Sequence, residues 1–288
     1  MIDRQARRLP LDAHLHTDLS PDSDVPIDRF AEQAVEREIA ELAITDHVDF
    51  EPGSPAFAFT TYAQRERVVR EAAERWAERG LAIRFGVEIT FDSRYEAQIR
   101  EHLRTHAYDF VIGSVHVYRA SPYAADHVAG FVESRSLAEI VAPYFDEVLA
   151  AARSGLFDAL GHLDFVKRYL HPHVTAADLA RAPELYEPIL RALVESGTAL
   201  EVNTSGLRQA AGETYPSAGI VALFRELGGE RITVGSDAHR ATAFAFALED
   251  GYAHARAAGF EAMTFRRGEA PVTVALAGAP NAIGIRSL

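Results

Sequence analysis

Two histidines separated by one residue, His14 and His16, stand in the short apolar segment LDAHLHTD at positions 11–18. Side chains two residues apart on a strand point to the same face, so the two imidazoles can bind one metal ion together. Asp237 and His239, in the segment GSDAH, have the same spacing. The chain contains no cysteine, so any metal must be held by imidazole and carboxylate ligands. These residue types and spacings predict chemistry that depends on divalent cations.

Metal-binding residue types recur at the C-terminal ends of five further candidate strands. They are Asp46 and His47 in ITDH, Glu88 in FGVEIT, His116 in VIGSVHVY, His162 and Asp164 in GHLDF, and Glu201 and Asn203 in LEVNTSG. A single histidine at a strand end is more often a hydrogen-bonded structural residue. Seven such ends favour a shared site, because burying these groups without an ion costs on the order of several kcal/mol per unpaired charge. We therefore expect a multinuclear metal site.

The elements that carry these residues alternate between short apolar runs and longer helical stretches, which is the pattern of parallel strands joined by crossover helices. Seven or eight consecutive βα units favour an α/β barrel, whose active site lies at the C-terminal ends of the strands, over an open sheet. The predicted strands are 10–16, 41–47, 82–89, 109–116, 157–163, 198–204 and 231–237, with 261–266 as an eighth candidate. The predicted helical segments include 26–40, 60–80, 136–155, 182–197 and 216–229.

Composition narrows the class of protein. The net charge is -13 at pH 7 and no long basic run is present, which argues against a protein that binds nucleic acid through its phosphates. The first ten residues, MIDRQARRLP, lack the apolar core of a signal peptide, and no segment approaches 18 uninterrupted apolar residues. We expect a cytoplasmic protein with no membrane partner. No linker of Pro, Gly and Ser divides the chain, which predicts one domain.

The ordered series HLH, TDH, a strand-end glutamate, GSVH, GHLD and GSDAH resembles the polymerase and histidinol phosphatase (PHP) superfamily. The resemblance spans about residues 10–240 and rests on ligand motifs on successive strands. Within that superfamily, EVNTSGLRQAAGETYPS (201–217) and GHLDFVKRY (161–169) resemble the stand-alone histidinol-phosphate phosphatases. The resemblance implies one PHP-type metal-dependent phosphoesterase domain over residues 1–288. It also implies a distorted TIM-like (β/α)7 barrel with the metal site at the C-terminal ends of the strands.

The resemblance further implies two to three divalent transition-metal ions, which can be manganese, iron or zinc. The implied ligands form three groups: His14, His16, Glu88 and Asp237 for the first ion, Glu88 as a bridge with His116 and His162 for the second, and His47, His239 and Asp22 for the third. Asp22 stands where many members of the superfamily have a histidine. Asp18 or Asp24 can take this place instead.

Hydrolysis of a phosphate monoester suits such a site. A hydroxide shared by the ions can attack phosphorus while the ions hold the attacking and leaving oxygens. Arg168 in KRY and Arg208 in SGLR are expected to bind the phosphate, and ordinary surface charge is the alternative for both. Asp237 or His239 is expected to supply the proton that the leaving alkoxide needs, unless a metal-bound water does so.

Other polar residues are expected to support the ligands. Asp12, two residues before His14, and Asp164, two after His162, are candidates to orient ligand imidazoles, or else are exposed or capping carboxylates. Glu201 is expected to form hydrogen bonds near the site. The remaining histidines include His102, His106 and His254, for which solvated helix surfaces are expected, and His127 and His171, which lie in loops near the mouth.

Substrate recognition is expected from the long segments 51–61, 118–134 and 168–183, which follow three of the strands. Loops of this length in a compact domain are usually functional or disordered. A substrate with imidazole and amino groups would suit aromatic stacking and a carboxylate. The candidates for these contacts are Phe57, Phe59, Tyr118, Tyr123 and Asp126.

The function implied by the resemblance is hydrolysis of L-histidinol phosphate to L-histidinol and phosphate in histidine biosynthesis. A phosphoesterase for a nucleotide or another small phosphate ester is the alternative with the same site. A metal-dependent amidohydrolase is disfavoured, because no lysine falls at a strand end before Lys167. A non-catalytic metal-binding or polymerase-associated role is the last alternative.

Overall fold

Parallel strands follow one another around a barrel in the computed structural model, which describes residues 10–118, 120–267 and 270–276. The strands are β1 (Asp12–Leu15), β2 (Glu41–Ile44), β3 (His47–Val48), β4 (Ala82–Thr90), β5 (Phe110–Ser114), β6 (Ala159–Leu160), β7 (Ala199–Asn203), β8 (Ile232–Gly235), β9 (Ala262–Arg267) and β10 (Ala270–Ala275). The barrel sheet has the order β1-β2-β4-β5-β6-β7-β8, and β3 pairs with β4 beyond the end of β2. All pairs of this sheet are parallel.

The first and last strands of this sheet meet and bring it close to a full ring. Leu15 and Ala238 form a parallel bridge just beyond β1 and β8. The amide of Asp237 donates to the carbonyl of His14 at 2.9 Å, and the amide of His16 donates to the carbonyl of Ala238 at 3.0 Å. Because β2 and β3 occupy one interrupted position beside β4, the ring has seven strand positions. The expected distorted (β/α)7 barrel is therefore confirmed, and the open sheet is excluded.

Helices cover the outside of the barrel. They are α1 (Ile27–Glu36), α2 (Tyr62–Ala77), α3 (Glu96–Thr105), α4 (Val128–Val132), α5 (Leu137–Ser154), α6 (Val166–Leu170), α7 (Ala176–Ala180), α8 (Glu187–Ser196), α9 (Ala218–Glu226) and α10 (Leu248–Ala257). Local sequence sets several of their ends. Ser136 and Glu139 form a capping box at the start of α5, and Gly155 ends this helix with a left-handed φ of 62°. In the part of the chain that is described, no helix is both long and apolar enough to traverse a bilayer.

The eighth predicted strand, 261–266, forms, but not as part of the barrel. It is β9, which pairs in antiparallel register with β10 to make a separate hairpin. The guanidinium of Arg266 lies 2.7 Å from the carboxylate of Asp158, just before β6. The expectation of an eighth barrel unit was wrong because β1 and β8 already close the ring and leave no free edge there for β9.

Two of the three histidines expected on solvated helix surfaces, His102 and His106, have ring partners instead. His102 Nε2 lies 2.8 Å from the hydroxyl of Tyr108, and the rings of His102 and His106 stack 4.3 Å apart. The ring of Tyr62 packs against His106 at 4.4 Å. The expectation of solvated surface residues was wrong for this pair because α3 turns this face towards Tyr62 and Tyr108.

Candidate metal centre

The C-terminal ends of the barrel strands place nine polar side chains around one buried region. The register of β3 and β4 puts His47 directly beside Glu88. His116 and His162 follow β5 and β6 by two residues each, and Asp237 follows β8 by two. These nine side chains are the metal ligands expected from the sequence: His14, His16, Asp22, His47, Glu88, His116, His162, Asp237 and His239. Their convergence is observed, and their binding of metal stays a prediction.

Glu88 lies at the centre of this region, and its two carboxylate oxygens face different imidazoles. Glu88 itself is almost fully buried. Around Oε2 lie His14 Nε2 and His16 Nε2, each at 3.3 Å, and His47 Nδ1 at 3.0 Å. Around Oε1 lie His162 Nε2 at 2.9 Å and His116 Nε2 at 3.6 Å. A carboxylate in this position can bridge two cations, one on each oxygen.

Asp237 and Asp22 face the other side of the imidazole cluster. Asp237 Oδ1 lies 3.5 Å from His16 Nε2 and 3.3 Å from His239 Nδ1. Asp22 Oδ2 lies 3.3 Å from His47 Nε2 and 3.2 Å from His239 Nε2. Asp22 thus occupies the place expected for a ligand of the third ion.

The two alternatives to Asp22 lie elsewhere. Asp24 pairs with Arg240 at 2.8 Å, and Asp18 is exposed. Neither side chain joins the imidazole cluster.

The spacing of the polar atoms fits bound cations better than hydrogen bonds. A tetrahedral ion with ligands at about 2.0–2.1 Å separates its ligand atoms by about 3.3 Å, which is close to the distances around Glu88. His47 Nδ1 lies 3.0 Å from Glu88 Oε2 but has no aligned hydrogen bond. His14 Nε2 and His16 Nε2 face each other at 3.1 Å. Within the described residues, four sets of three side chains have ligand atoms within 4.8 Å of one another: His14, His16 and Asp237; His14, Glu88 and His162; His47, Glu88 and His116; and His16, His47 and His239.

The electrostatics of the region also favour added positive charge. Burial opposes protonation of His14, but the carboxylates of Glu201 and Glu88 outweigh it and raise the pKa of this imidazole well above its usual range. The same balance between burial and nearby carboxylates raises the pKa values of His47 and His162. Burial and neighbouring imidazoles instead lower the pKa values of His16 and His116. Protons are therefore favoured on only part of the cluster, and ions that bind there must displace them.

Glu201 holds two of the candidate ligands in place. Its Oε1 lies 2.6 Å from His14 Nδ1, and its Oε2 accepts hydrogen bonds from the amide of His162 at 2.8 Å and from Asn203 Nδ2 at 3.1 Å. With Nδ1 of His14 engaged, Nε2 is directed towards Glu88. The sequence indicated Glu201 only as a residue that forms hydrogen bonds near the site.

The carboxylates expected to orient ligand rings have other partners, so that expectation was wrong. Asp12 accepts from the amide and hydroxyl of Ser236 at 2.8 and 2.6 Å, and so ties β1 to the end of β8. Asp164 accepts from the hydroxyl of Tyr186 at 3.0 Å and pairs with Lys167 at 2.5 Å. Asp12 therefore helps to close the ring, and Oδ2 of Asp164 takes part in the packing of the segment after β6.

Two further residues support the site. Thr90 Oγ1 lies 2.8 Å from His116 Nδ1, and Thr90 was missed although it stands two residues after Glu88 on the same strand face. Asp46 accepts from the amide and hydroxyl of Thr17 at 2.6 and 2.8 Å, and from the hydroxyl of Ser20 at 2.9 Å. Asp46 therefore fixes the segment after β1 that leads to Asp22.

Backbone strain marks the two strand ends that carry His162 and Asp237. Their φ angles are 22° and 53°, in the left-handed region that non-glycine residues seldom adopt. Such conformations cluster at functional sites, where surrounding contacts maintain them. Here the turn aims each side chain into the cluster.

Gly235 permits the close contact between β8 and the ligands of β1. A Cβ atom at this position would lie 2.4 Å from the Cβ of His14 and 2.9 Å from Glu201 Oε1. We expect Gly235→Ala to displace His14, to reduce the metal content of purified protein and to cost about 1–3 kcal/mol of stability. Elemental analysis and thermal unfolding measure these effects. Gly219→Ala in α9 is the control, because a Cβ atom there would lie 3.9 Å from its nearest neighbour, Ser217 Oγ. Equal metal content and equal stability of the two variants would contradict the expectation.

A cavity of about 390 Å³ lies directly above the cluster. Both arginines expected to bind phosphate line it. Arg208 donates to the carbonyls of Ser236 and Asp237 at 2.8 and 2.6 Å, whereas the exposed guanidinium of Arg168 lies 5.3 Å from the ring of Phe165. Arg208 therefore also holds the strand end that carries Asp237, whereas the exposed guanidinium of Arg168 contacts the ring of Phe165.

Tyr118 is the one residue of the suggested recognition set that lines this cavity among the residues described. Phe57 and Phe59 are 45% and 50% exposed. Tyr123 is buried and donates to the carbonyl of Ile140 at 2.7 Å. Asp126 is 80% exposed and lies 3.6 Å from the ring of its neighbour His127. These four do not face the cluster.

Comparison with known proteins places this site in a family. The model of the PHP domain matches residues 12–205, well over half of the chain. A protein of Deinococcus radiodurans named "Probable histidinol-phosphatase" is 31% identical over 257 residues, covering 88% of this chain and 96% of the relative. The "Histidinol-phosphatase" of Lactococcus lactis is 28% identical over 235 residues, covering 80% of this chain and 84% of the relative.

A solved structure shares the fold. The crystal structure of histidinol phosphate phosphatase from Lactococcus lactis, complexed with zinc, L-histidinol and phosphate, superposes with a TM-score of 0.78. The alignment covers 90% of this chain and 97% of that chain, at 24% sequence identity. The match extends over nearly the whole barrel.

Proposed function

The chain belongs to the PHP domain family, and from this premise we propose that it is a metal-dependent phosphatase that hydrolyses L-histidinol phosphate to L-histidinol and phosphate. The observation that carries the proposal is the position of Glu88 between two sets of imidazoles on the floor of a cavity with two arginines on its wall. The names of the relatives support the choice of substrate, because two of them cover at least 80% of this chain. A step of histidine biosynthesis follows from that choice.

The residues present fit two to three divalent ions of manganese, iron or zinc, held by the nine ligands in the grouping expected from the sequence. When bound, such ions lower the pKa of water and neutralise the charge of phosphate oxygens. The chain supplies the geometry. Glu88 would hold ions through both of its carboxylate oxygens, Glu201 orients the ring of His14, and Thr90 orients the ring of His116.

Asp237 and His239 are proposed to handle the proton that the leaving oxygen requires. Burial opposes ionisation of Asp237, but the imidazoles of His14 and His239 outweigh it and hold the pKa of the carboxyl below its usual range. Asp237 is therefore ionised and can accept from His239 Nδ1, which lies 3.3 Å away. A proton held between these two groups lies beside the cavity in which the ester bond breaks.

Arg168 and Arg208 are proposed to bind the phosphate, and their replacement should give different results. We expect Arg168→Ala to raise KM for L-histidinol phosphate about tenfold with little change in kcat, because a charge-assisted contact to phosphate is lost. Arg208→Ala should lower kcat as well, because its guanidinium also holds the carbonyls of Ser236 and Asp237. Steady-state kinetics with elemental analysis measure both effects, and Arg67→Ala on the exposed face of α2 is the control. Unchanged kinetics would remove either arginine from the site.

The substrate is tested by comparing kcat/KM for L-histidinol phosphate with kcat/KM for a panel of nucleotides and sugar phosphates. We expect L-histidinol phosphate to exceed the other esters by at least about 100-fold, since a site with fitted polar groups discriminates strongly against ligands that lack their partners. A nucleotide that is turned over faster would favour the alternative phosphoesterase. Protein with its full metal content and no activity on any ester would favour a non-catalytic role.

Two further statements stay proposals. We propose that residues 1–288 form a single domain, although residues 1–9 and 277–288 lie outside the described part of the chain. A location in the cytoplasm is likewise proposed from the sequence.

A further inference from the structure

Asp49 is a carboxylate on the wall of the cavity that the steps above do not use. It directly follows β3 and forms a parallel bridge with Phe57, so the chain is extended here. In an extended chain, side chains two residues apart share a face, which places Asp49 on the side of His47. Two residues of strand advance by about 6.6–6.8 Å, so Asp49 lies one such step further towards the mouth.

The charge of Asp49 has little compensation from the protein. Its Oδ2 accepts a hydrogen bond from the hydroxyl of Ser54, and its Oδ1 is buried without a hydrogen-bond partner. Among the residues that the structure describes, no cationic side chain forms an ion pair with it. Asp49 lines the same cavity as His47, His116 and Tyr118, so it lies beside the cluster. Asp49 is half-buried, and a charged oxygen that is buried without a partner is costly unless a cationic partner arrives.

The other carboxylates that line the cavity already have partners. They are Asp22, Glu88 and Asp237, and each lies within about 3.3 Å of at least one imidazole of the cluster. Asp126, the acid suggested by the loop sequence, points to solvent beside His127. Asp49 is therefore the carboxylate of the cavity that is free to receive a cation from a ligand.

We propose that Asp49 binds the ammonium group of the substrate, so that the site selects phosphate esters that carry a primary amine near the ester oxygen. The inference rests on the proposed function and deepens it, since L-histidinol phosphate carries such an amine. The phosphate would lie over the cluster beside Arg168 and Arg208, and the ammonium would lie at Asp49 on the cavity wall. Ser54 positions the carboxylate by donating to Oδ2.

The test compares two pairs of esters that differ only in the amine. One pair is L-histidinol phosphate and 3-(imidazol-4-yl)propyl phosphate, and the other is 2-aminoethyl phosphate and ethyl phosphate. Wild-type enzyme with its metals should prefer the aminated member of each pair by about 30-fold or more, which is the effect of a hydrogen bond to a charged group. Asp49→Asn, which keeps the shape and removes the charge, should reduce this preference to within about threefold, mainly through KM of the aminated esters.

Asp126→Asn is the matched control and should retain the preference of the wild-type enzyme. Metal content is measured for all proteins, since a loss of metal from Asp49→Asn would make Asp49 a ligand and overturn the proposal. A preference that persists in Asp49→Asn would overturn it too, as would an equal loss of activity on both members of a pair.

A measurement on the wild-type protein covers the case in which Asp49→Asn fails to fold. L-histidinol should inhibit about tenfold or more tightly than 3-(imidazol-4-yl)propan-1-ol, which lacks the amine. Equal inhibition would overturn the role of Asp49. The proposed function fails separately, if L-histidinol phosphate is a poor substrate while 2-aminoethyl phosphate is still preferred over ethyl phosphate.

Discussion

Glu88→Gln is expected to lower kcat/KM for L-histidinol phosphate by about 1,000-fold or more, since a bridging ligand at a multinuclear site is lost together with its charge. Glutamine keeps the volume of the side chain but offers only one oxygen. In the native protein both oxygens face imidazoles, at 3.0 Å to His47 Nδ1 and 2.9 Å to His162 Nε2. We expect the variant to bind fewer ions per chain than the wild type.

Kinetics and elemental analysis of the same preparations measure this effect. Glu226→Gln, at the exposed end of α9, is the matched control and should behave as the wild type. If Glu88→Gln kept both full activity and full metal content, the bridging role of Glu88 would be refuted.

Removal of metal is the second large effect. Dialysis against a chelator should lower the rate of hydrolysis by about 1,000-fold, and added zinc or manganese should restore the rate. The metal-free protein should also unfold at a lower temperature, because ions that bind the folded state stabilise it. Full activity after verified metal removal would contradict the proposed mechanism.

The loss of metal should depend on pH with a definite sign. Carboxylates outweigh burial and raise the pKa values of His14, His47 and His162 in the metal-free protein, so protons compete with ions already at pH values above the usual histidine range. Metal affinity should fall as the pH falls through these raised values. Titration of the metal-free protein with zinc at several pH values, with the released protons counted, measures this competition. Affinity that rises on acidification would refute the assignment of these imidazoles as ligands.

Much of the site could be predicted because strand ends follow simple rules. The apolar runs located the strands, and the barrel rule brought their C-terminal ends to one face, so that residues as distant in sequence as His14 and Asp237 were expected together. The spacing of two in HLH and DAH placed pairs on one side of the chain. The ligand grouping came from the family resemblance.

Other features depend on packing between strands that the sequence does not reveal. Glu201 reaches His14 because β7 lies beside β8, which in turn lies beside β1. Asp12 has the spacing of a supporting carboxylate, yet the closure of the ring supplies Ser236 as its partner. The position of Asp49 on the cavity wall, with Oδ1 unpaired, likewise depends on packing between segments that its sequence neighbours do not indicate.

The meeting of β1 with the end of β8 has a consequence for how the molecule holds together. His14 and His16 enter the cluster from one side of this junction, and Asp237 enters from the other, more than two hundred positions later in the chain. An ion bound by all three side chains would link the two ends of the barrel sheet. A chain that ended before residue 237 would lack Asp237, and His14 and His16 would lose their partner from the far end of the sheet.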